Sequence, residues 1–169
     1  MPYENLDFRP LRADDLAMLR EWLSRQHVAE WWGAAPTQAE VDDDYAPMLA
    51  PGSTDRGYIA LLDGEPIGFI QSYVVTGSGD GWWDDERDPG ARGIDQFLAH
   101  ADQLNRGLGS AMIRAFVERL FLDPAVTKVQ TDPSPRNLRA IRCSLKAGFH
   151  EHGEVMTPDG PALLLVRNR

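Results

Sequence analysis

Carboxylates close to tryptophan pairs are the residues of this sequence whose types could hold or deprotonate a cation. Residues 76–102 contain seven acidic and two basic side chains, a net charge of −5, and the pair Trp82–Trp83. A second pair, Trp31–Trp32, precedes the acidic run Asp42–Asp44. Ion pairs and cation–π contacts both stabilise a bound cation. The pattern therefore permits a cationic ligand, while the run Asp42–Asp44 itself is expected to be a solvated helix face.

A glycine-rich turn is the second feature with chemical content. The residues Arg106-Gly107-Leu108-Gly109-Ser110 stand between a predicted strand and a predicted helix. Small glycines let backbone N–H groups approach an anion, and the helix dipole favours negative charge there, so the turn suits a pyrophosphate. Met112 replaces the third glycine of a dinucleotide fingerprint, and the sequence has no Gly-Lys-Ser/Thr triplet of a P-loop. From these residues alone, a simple tight turn is an equally open interpretation.

Composition excludes several classes of protein. The 169 residues carry 26 acidic and 17 basic side chains, a net charge of −9, which argues against binding to nucleic acid or to an anionic membrane. Cys143 is the single cysteine, so an internal disulfide is excluded and a cytoplasmic location is expected. No apolar stretch has the length of a membrane span or the pattern of a signal peptide. The four histidines lack a metal-ligand setting, so no metal is expected.

Hydrophobic periodicity and turn residues predict the elements that must position these side chains. Strands are predicted at 6–12, 58–62, 66–75, 93–100, 126–131, 149–156 and 161–167. Helices are predicted after Asp14 or Asp15, either of which can act as the cap, after Thr37, which has Glu40 at capping-box spacing, at 110–122 and at 137–146. Asp63-Gly64 is predicted to be a hairpin turn and Gly148 to end the last helix. Residues 76–92 are predicted to be a loop. The order β, α, α, β, β, β, α, β, α, β, β predicts an α/β (α+β) fold, one domain over residues 1–169 with a central mixed sheet flanked by helices.

Several segments carry a resemblance to a known family. Leu104–Gly109 resembles the acetyl-CoA loop of the Gcn5-related N-acetyltransferases (GNAT), although Leu104 departs from the usual first residue, and Asn137–Phe149 resembles the helix that follows their fifth strand. The segments HVAEWWG, GSGDGWWDDERDPGARGIDQ and TDPSPRNLRAIRC are similar to the aminoglycoside 6′-N-acetyltransferases of that superfamily. The resemblance spans about residues 8–166. It implies a mostly antiparallel GNAT sheet, acetyl-CoA as co-substrate, a polycationic aminoglycoside as partner, and inactivation of the antibiotic. Nothing in the sequence demands more than a monomer, so a monomer is expected.

The same resemblance assigns roles to individual residues. Asp95 is expected to accept the proton of the reacting amine, directly or through water, with Asp132 as a second catalytic candidate. Substrate-binding residues are expected to be Trp32, Gln71, Asp80, Trp82, Asp95, Phe97, Asp132 and Asp159. Cofactor-binding residues are expected to be Asn105, Arg106, Gly107, Leu108, Gly109, Ser110 and Asn137. One ring of each tryptophan pair, Trp31 and Trp83, is expected only to pack, whereas Phe97 shares the face of Asp95 on a regular strand.

The leaving thiolate raises a separate question. Many family members place a tyrosine as general acid where this chain has Ser144. A thiolate leaves without much help, because thiol pKa values are only about 8.5, so water or the substrate is expected to protonate CoA. Cys143 is expected to be a small core residue. Two alternatives stay open: a GNAT acyltransferase acting on another amine, such as a siderophore precursor, and a non-catalytic protein that binds acyl-CoA or an aminoglycoside.

Overall fold

The computed structural model describes residues 3–169. Its strands are β1 (Leu6–Pro10), β2 (Arg56–Leu62), β3 (Glu65–Val74), β4 (Ala91–Leu98), β5 (Lys128–Thr131), β6 (His150–Thr157) and β7 (Gly160–Asn168). Its helices are α1 (Leu16–Leu23), α2 (Gln26–Trp32), α3 (Gln38–Tyr45), α4 (Leu108–Leu120) and α5 (Leu138–Lys146). Short 3-10 turns lie at Ala13–Asp15, Ala46–Leu49 and Ala101–Gln103.

The seven strands form one sheet in the order β1-β2-β3-β4-β5-β7-β6. The pairs β1–β2, β5–β7 and β6–β7 are antiparallel, and β4–β5 is parallel. The predicted mixed, mostly antiparallel sheet with helices is therefore confirmed. The structure adds one helix, α2, to the predicted order. Val28 is the buried residue of α2, so the segment carries too little hydrophobic periodicity to be recognised as a separate helix.

Local signals in the sequence set several element boundaries. The turn between β2 and β3 places Asp63 at φ 52 and Gly64 at φ 81, the left-handed pair that a two-residue hairpin requires. The Thr37 hydroxyl accepts a hydrogen bond from the Glu40 N–H at 3.2 Å and so caps α3. Gly148 ends α5 at φ 95, as expected of a glycine that follows a helix.

The expected capping of α1 by Asp14 or Asp15 is not observed. The Asp15 carboxylate accepts two hydrogen bonds from the Arg9 guanidinium, at 2.6 and 2.7 Å, and one from the Arg12 N–H at 2.8 Å. A bidentate hydrogen bond from a charged guanidinium is stronger than a hydrogen bond from a neutral backbone N–H group. The Asp15 carboxylate therefore points towards β1 and not towards the first turn of α1. The pair fixes β1 to the segment that begins α1.

The chain divides into two compact units that alternate along the sequence, residues 3–71 with 96–106 and residues 72–95 with 107–169. The first unit has a core of fully buried side chains on α1, α2, α3, β2 and β3, among them Leu19, Val28, Val41, Ile59 and Phe69. In the second unit, the buried face of α4 includes Ile113, Phe116 and Val117, and β5 and β7 bury Val129 and Leu165. One domain over 1–169 stays a prediction. Within residues 3–169, no helix has the length and apolar character needed to cross a bilayer.

Candidate active site

The parallel pairing of β4 and β5 brings two predicted aspartates together. Gly93 lies opposite Gln130, and the pairing of the two strands extends over Ala91–Gly93. Asp95 and Asp132 each stand two residues beyond that pair, and side chains two residues apart on a strand share one face. Asp95 lies on β4 and Asp132 directly follows the end of β5, so the two predicted catalytic carboxylates are neighbours. The charge of Asp95 is one cause of the raised pKa of Asp132.

A third carboxylate, Asp159, acts on the same region from the turn between β6 and β7. Because β7 pairs with β5, that turn reaches the end of β5, where Asp132 stands. Burial raises the pKa of Asp132 to about 8, and the negative charges of Asp95 and Asp159 are further causes of the shift. Buried carboxylates that face like charges keep a proton at neutral pH. A cation bound among these groups would favour the release of that proton.

The turn that carries Asp80 and Trp82 lies against the turn that carries Asp159. A Cβ atom placed on Gly81 would stand 3.6 Å from the side chain of Pro158, the residue before Asp159. Asp80 is exposed and Trp82 is half-buried, so a carboxylate and an indole face solvent next to the three-aspartate cluster. Two turns that are far apart in sequence thus come together around the predicted substrate residues of the second unit.

Tyr73, which the sequence did not single out, belongs to the same cluster. The Trp83 indole N–H donates a hydrogen bond to its hydroxyl at 3.1 Å. A Cβ atom at Gly93 would lie 2.1 Å from the Tyr73 Cζ atom, so the phenol ring lies directly on the backbone of β4. Burial raises the pKa of the Tyr73 hydroxyl far above its usual value, and the charges of Asp95 and Asp132 raise it further. The one sequence signal is a glycine inside a predicted strand, which often marks a close approach.

Three other predicted substrate residues lie in the first unit. Phe97 is 8% exposed and packs edge-on against Trp32, with ring centroids 5.1 Å apart. Both rings also contact Phe69. Phe97 is therefore part of an aromatic core, where it supports Trp32, and any influence on ligand choice would act through that packing. Gln71, on β3, is half-buried.

The expected roles of the tryptophan pairs need correction. Trp31 was expected only to pack, but it is 37% exposed, and its neighbour Trp32 is the one that packs against the core. Trp83 does more than pack, since it donates a hydrogen bond to Tyr73. Helix α2 has seven residues and a single buried position. Such a short helix has no clear apolar face, so the sequence does not predict which of the two indoles points inwards.

Two acids of the 76–102 window stabilise the loop before β4. Glu86 forms an ion pair with Lys128 at 2.7 Å, and Asp88 accepts a hydrogen bond from the Thr127 hydroxyl at 2.6 Å. Both partners belong to β5 or the residue before it. These acids hold the end of the loop against β5, so part of the acidic charge of this segment has a structural role.

The predicted anion-binding turn opens α4. Gly107 adopts φ 83 and precedes the helix, whose first internal hydrogen bond runs from the Ala111 N–H to the Gly107 carbonyl at 3.1 Å. The N–H groups of Leu108 and Gly109 therefore have no carbonyl partner within the helix. The Ser110 hydroxyl donates to the Gly107 carbonyl at 3.0 Å, which closes the turn. This arrangement can bind a phosphate oxygen.

The residues just before α4 belong to the first unit. Asn105 has a left-handed backbone, with φ 61, and the Arg106 carbonyl accepts a hydrogen bond from the Tyr3 hydroxyl at 2.8 Å. The bond from Tyr3 fixes the backbone of Arg106, one residue before the turn.

Helix α5 runs beside α4 in the same direction. The backbone of Ser110 faces the Cys143 sulfur, and further along, the Arg114 guanidinium donates to the Lys146 carbonyl. Arg139 stands one turn before Cys143, level with the start of α4. Its Nε is buried and makes no hydrogen bond in residues 3–169. Because this Nε lacks a hydrogen bond and Arg139 lies level with the turn that opens α4, Arg139 is a further cofactor candidate that the sequence did not single out.

Other side chains on α5 have mainly structural contacts. The Asn137 amide oxygen accepts the Ala140 N–H at 3.2 Å and caps the helix. Ser144 is 1% exposed, and its hydroxyl makes no hydrogen bond in the described part of the chain. Cys143, expected to be a core residue, is half-buried. Burial still raises the pKa of its thiol, as expected for an unreactive cysteine. Between residues 3 and 169, no group of three or more histidine, cysteine, aspartate or glutamate side chains could hold a metal ion.

A family model, the sequence of a relative and two solved structures all match this chain, and all of them are acetyltransferases. A family model described as an acetyltransferase (GNAT) domain matches residues 12–157. The aminoglycoside N(6')-acetyltransferase type 1 of Klebsiella pneumoniae is 57% identical over 98% of this chain and 84% of its own length. A structure of AAC(6')-Ib with parmomycin and acetyl-CoA is 58% identical, with a TM-score of 0.94 over 98% of this chain and 94% of that one. A structure of AAC(6')-Ib with coenzyme A and kanamycin is 58% identical, with a TM-score of 0.92 over 97% of this chain and 95% of that one.

Proposed function

We propose, since this chain belongs to the GNAT acetyltransferase family, that it transfers the acetyl group of acetyl-CoA to the 6′-amino group of aminoglycoside antibiotics and so inactivates them. The observation that carries the proposal is the cluster of Asp95, Asp132 and Asp159 in the second unit. Three carboxylates next to an exposed aspartate and an indole suit a ligand with several ammonium groups. The relative at 57% identity, an aminoglycoside N(6')-acetyltransferase, supports that choice of ligand.

The chemistry of the step assigns roles to the aspartates. The 6′-ammonium gives its proton to Asp95, directly or through water, and the free amine attacks the thioester carbonyl. The new C–N bond forms as the C–S bond breaks, and the CoA thiolate leaves. Asp132 has a pKa of about 8, near the pH at which a general base is most effective. It therefore either shares the base role or pairs with a second ammonium group.

Acetyl-CoA is the co-substrate of this reaction. Leu108 and Gly109 offer backbone N–H groups at the start of α4, where a pyrophosphate is favoured. The side chain of Asn137 caps α5, so its expected contribution to acetyl-CoA binding is to keep that helix in place. Arg139 adds a positive charge beside the same turn. Asn105 and Arg106 set the path of the backbone that enters it.

Loss of the thiolate needs little assistance from the protein. The buried Ser144 hydroxyl has no hydrogen-bond partner in residues 3–169, and a serine is a weak acid. A thiolate with a pKa of about 8.5 leaves readily, and it takes its proton from water or from the substrate. We expect a monomer to carry out this reaction in the cytoplasm, without nucleic acid or membrane as a partner.

A thiol-release assay tests the proposal. The purified protein is expected to release free CoA thiol from acetyl-CoA with kanamycin, and to leave a 6′-hydroxyl analogue unacetylated at that position. Absence of thiol release with every aminoglycoside would contradict the proposed reaction. Thiol release with a siderophore-precursor amine alone would favour another substrate for the same fold.

A substitution tests the role of Asp95 in the same assay. Asp95→Asn is expected to lower kcat by about 100-fold or more, the range for a lost general base, with acetyl-CoA binding intact. Asp43→Asn, an exposed aspartate on α3, is the matched control and should keep full activity. Unchanged turnover in Asp95→Asn would remove Asp95 from the mechanism.

A further inference from the structure

The segment that presents Asp80 and Trp82 has a strained backbone. Five of its residues have positive φ, the glycines Gly77, Gly79 and Gly81 together with Asp80 at φ 54 and Trp83 at φ 55. Residues with a Cβ atom are disfavoured in this left-handed conformation, because the Cβ crowds the backbone carbonyl. Such conformations persist only where surrounding contacts hold them in place. The shape of the turn must therefore be fixed by bonds to other parts of the fold.

Hydrogen bonds at both ends of this turn attach it to β3 or to the residue that follows β3. At its start, the Ser78 hydroxyl donates to the Val75 carbonyl at 2.7 Å. At its end, the Trp83 indole N–H donates to the Tyr73 hydroxyl at 3.1 Å. The Trp82 ring lies beside the Trp83 ring, with centroids 5.9 Å apart. The hydroxyl of Tyr73 thus holds an indole that contacts a predicted substrate residue.

Tyr73 is itself held rigidly. A Cβ atom at Gly93 would stand 2.4 Å from the Tyr73 hydroxyl oxygen, so the phenol fills the space above that glycine. Gly93 is paired with Gln130, which is 4% exposed, in the β4–β5 ladder. The position of the hydroxyl is therefore set by β4, which carries Asp95, and β5, which ends one residue before Asp132.

We propose that Tyr73 is a positioning residue for aminoglycoside binding, which holds Trp83 so that Asp80 and Trp82 face the aspartate cluster. The proposal depends on the proposed function, and it concerns how the polycation is held before acetyl transfer. A hydroxyl that keeps its proton and accepts the indole bond cannot take the proton of the reacting amine. Tyr73 therefore acts through Trp83, and its loss changes ligand binding more than the chemical step.

A double-mutant cycle tests the bond between the two residues. Tyr73→Phe keeps the ring over Gly93 and removes only the hydroxyl, and Trp83→Phe removes the indole donor. Loss of one hydrogen bond is expected to raise the KM for kanamycin about 3- to 10-fold in each variant. The KM of the double variant for kanamycin should not exceed the higher of the two single-variant values, because both changes remove the bond between Tyr73 and Trp83. The kcat and the KM for acetyl-CoA should change less than about two-fold.

The controls separate this proposal from the proposed function. Wild-type protein must first release thiol with kanamycin, since failure there would contradict the reaction and not the role of Tyr73. Tyr58→Phe removes the hydroxyl of a half-buried tyrosine on β2, in the first unit, and should leave the KM for kanamycin unchanged. Calorimetric titration of kanamycin without acetyl-CoA should give the same weakening of Kd in Tyr73→Phe.

Three results would overturn the proposal in an active protein. An unchanged KM for kanamycin in Tyr73→Phe would show that the bond does not position the ligand. Additive effects of Tyr73→Phe and Trp83→Phe would show that the two residues act separately. A fall in kcat at constant KM would assign Tyr73 to the reacting atoms and not to positioning.

Discussion

Asp132 stands in an environment that is unfavourable to a negative charge. Burial raises its pKa to about 8, with Asp95 and Asp159 as further causes, against a usual value of about 4. Ionised Asp132 therefore destabilises the free protein, and a bound polycation would remove this unfavourable interaction. Binding sites commonly store such unfavourable interactions, because their release adds to the affinity for the ligand.

Replacement of Asp132 should stabilise the free protein in a pH-dependent way. Between about pH 4 and 8, the folded state holds a proton on Asp132 that the unfolded chain has released, so wild-type stability falls as the pH rises through this window. The side chain of Asp132→Asn cannot ionise, so the stability of this variant does not fall for that reason as the pH rises. Its Tm should exceed that of wild type at pH 8 and above, and the difference should vanish near pH 4. Thermal unfolding followed by circular dichroism from pH 4 to 9 measures it.

A matched variant makes this result specific. Asp159 is exposed, so Asp159→Asn removes one source of repulsion without removing the buried group, and its effect on Tm should be smaller. A Tm difference for Asp132→Asn that stays constant with pH, or grows towards acid, would contradict the protonated state of Asp132.

Residues of the candidate site differ in how far the sequence could predict them. Asp80, Asp95, Asp132 and Asp159 were found because carboxylates near tryptophans suit a cation and because the family resemblance selected them. Tyr73 was missed because its role depends on Gly93, a contact between strands that no local pattern encodes. Arg139 was missed for a similar reason, since only the parallel packing of α4 and α5 brings it to the turn at Gly107.

Secondary-structure elements were predicted best where a local signal acts alone. The Asp63–Gly64 hairpin, the Thr37 cap and the Gly148 stop all follow from backbone preferences of single residues, and all are confirmed. Helix α2 was missed because it buries one residue. The cap of α1 was predicted wrongly because Arg9, six residues away on β1, competes for the Asp15 carboxylate. Contacts between elements, and not local propensity, decided both cases.

The start of α4 gives a prediction at the scale of an element. Gly107 has φ 83 with open space around its Cα, so Gly107→Ala introduces backbone strain of about 1 kcal/mol without a clash. Strain there should disturb the N–H groups that are proposed to bind the pyrophosphate. The KM for acetyl-CoA should rise several-fold, with the KM for kanamycin nearly unchanged, as measured by initial-rate kinetics.

Gly52 supplies the matched control for this substitution. It has φ 79 and equally open surroundings, but it lies in a turn of the first unit that carries none of the predicted cofactor residues. Gly52→Ala should reduce stability by a similar amount and leave the KM for acetyl-CoA unchanged. Equal effects of the two substitutions on that KM would mean that Gly107 matters for stability alone.

Charge is distributed unevenly over the whole molecule. Residues 106–146 contain eight basic and three acidic side chains, a net charge of +5, whereas residues 1–105 have 7 basic and 20 acidic side chains, a net of −13. The basic stretch includes the turn and helices proposed to bind the anionic co-substrate. The acidic remainder includes Asp80 and Asp95 and suits the polycation. Together with the net −1 of residues 147–169, these two regions give the net charge of −9. They have opposite signs, and except for Asp132, which lies in the basic stretch, each matches the charge of the substrate proposed for it.

The acidic excess should also attract a polycation at long range, and that attraction can be separated from direct contact. Long-range steering weakens with salt, because the Debye length falls from about 30 Å at 0.01 M to about 10 Å at 0.1 M. The kcat/KM for kanamycin should therefore fall as the ionic strength rises.

The triple variant D42N/D43N/D44N changes exposed residues on α3 and shifts the net charge from −9 to −6. Its kcat/KM should depend less steeply on salt than that of wild type, while kcat stays the same. A salt dependence that is flat in wild type, or equal in the two proteins, would leave the contacts of Asp95, Asp132 and Asp159 as the source of affinity and remove the steering.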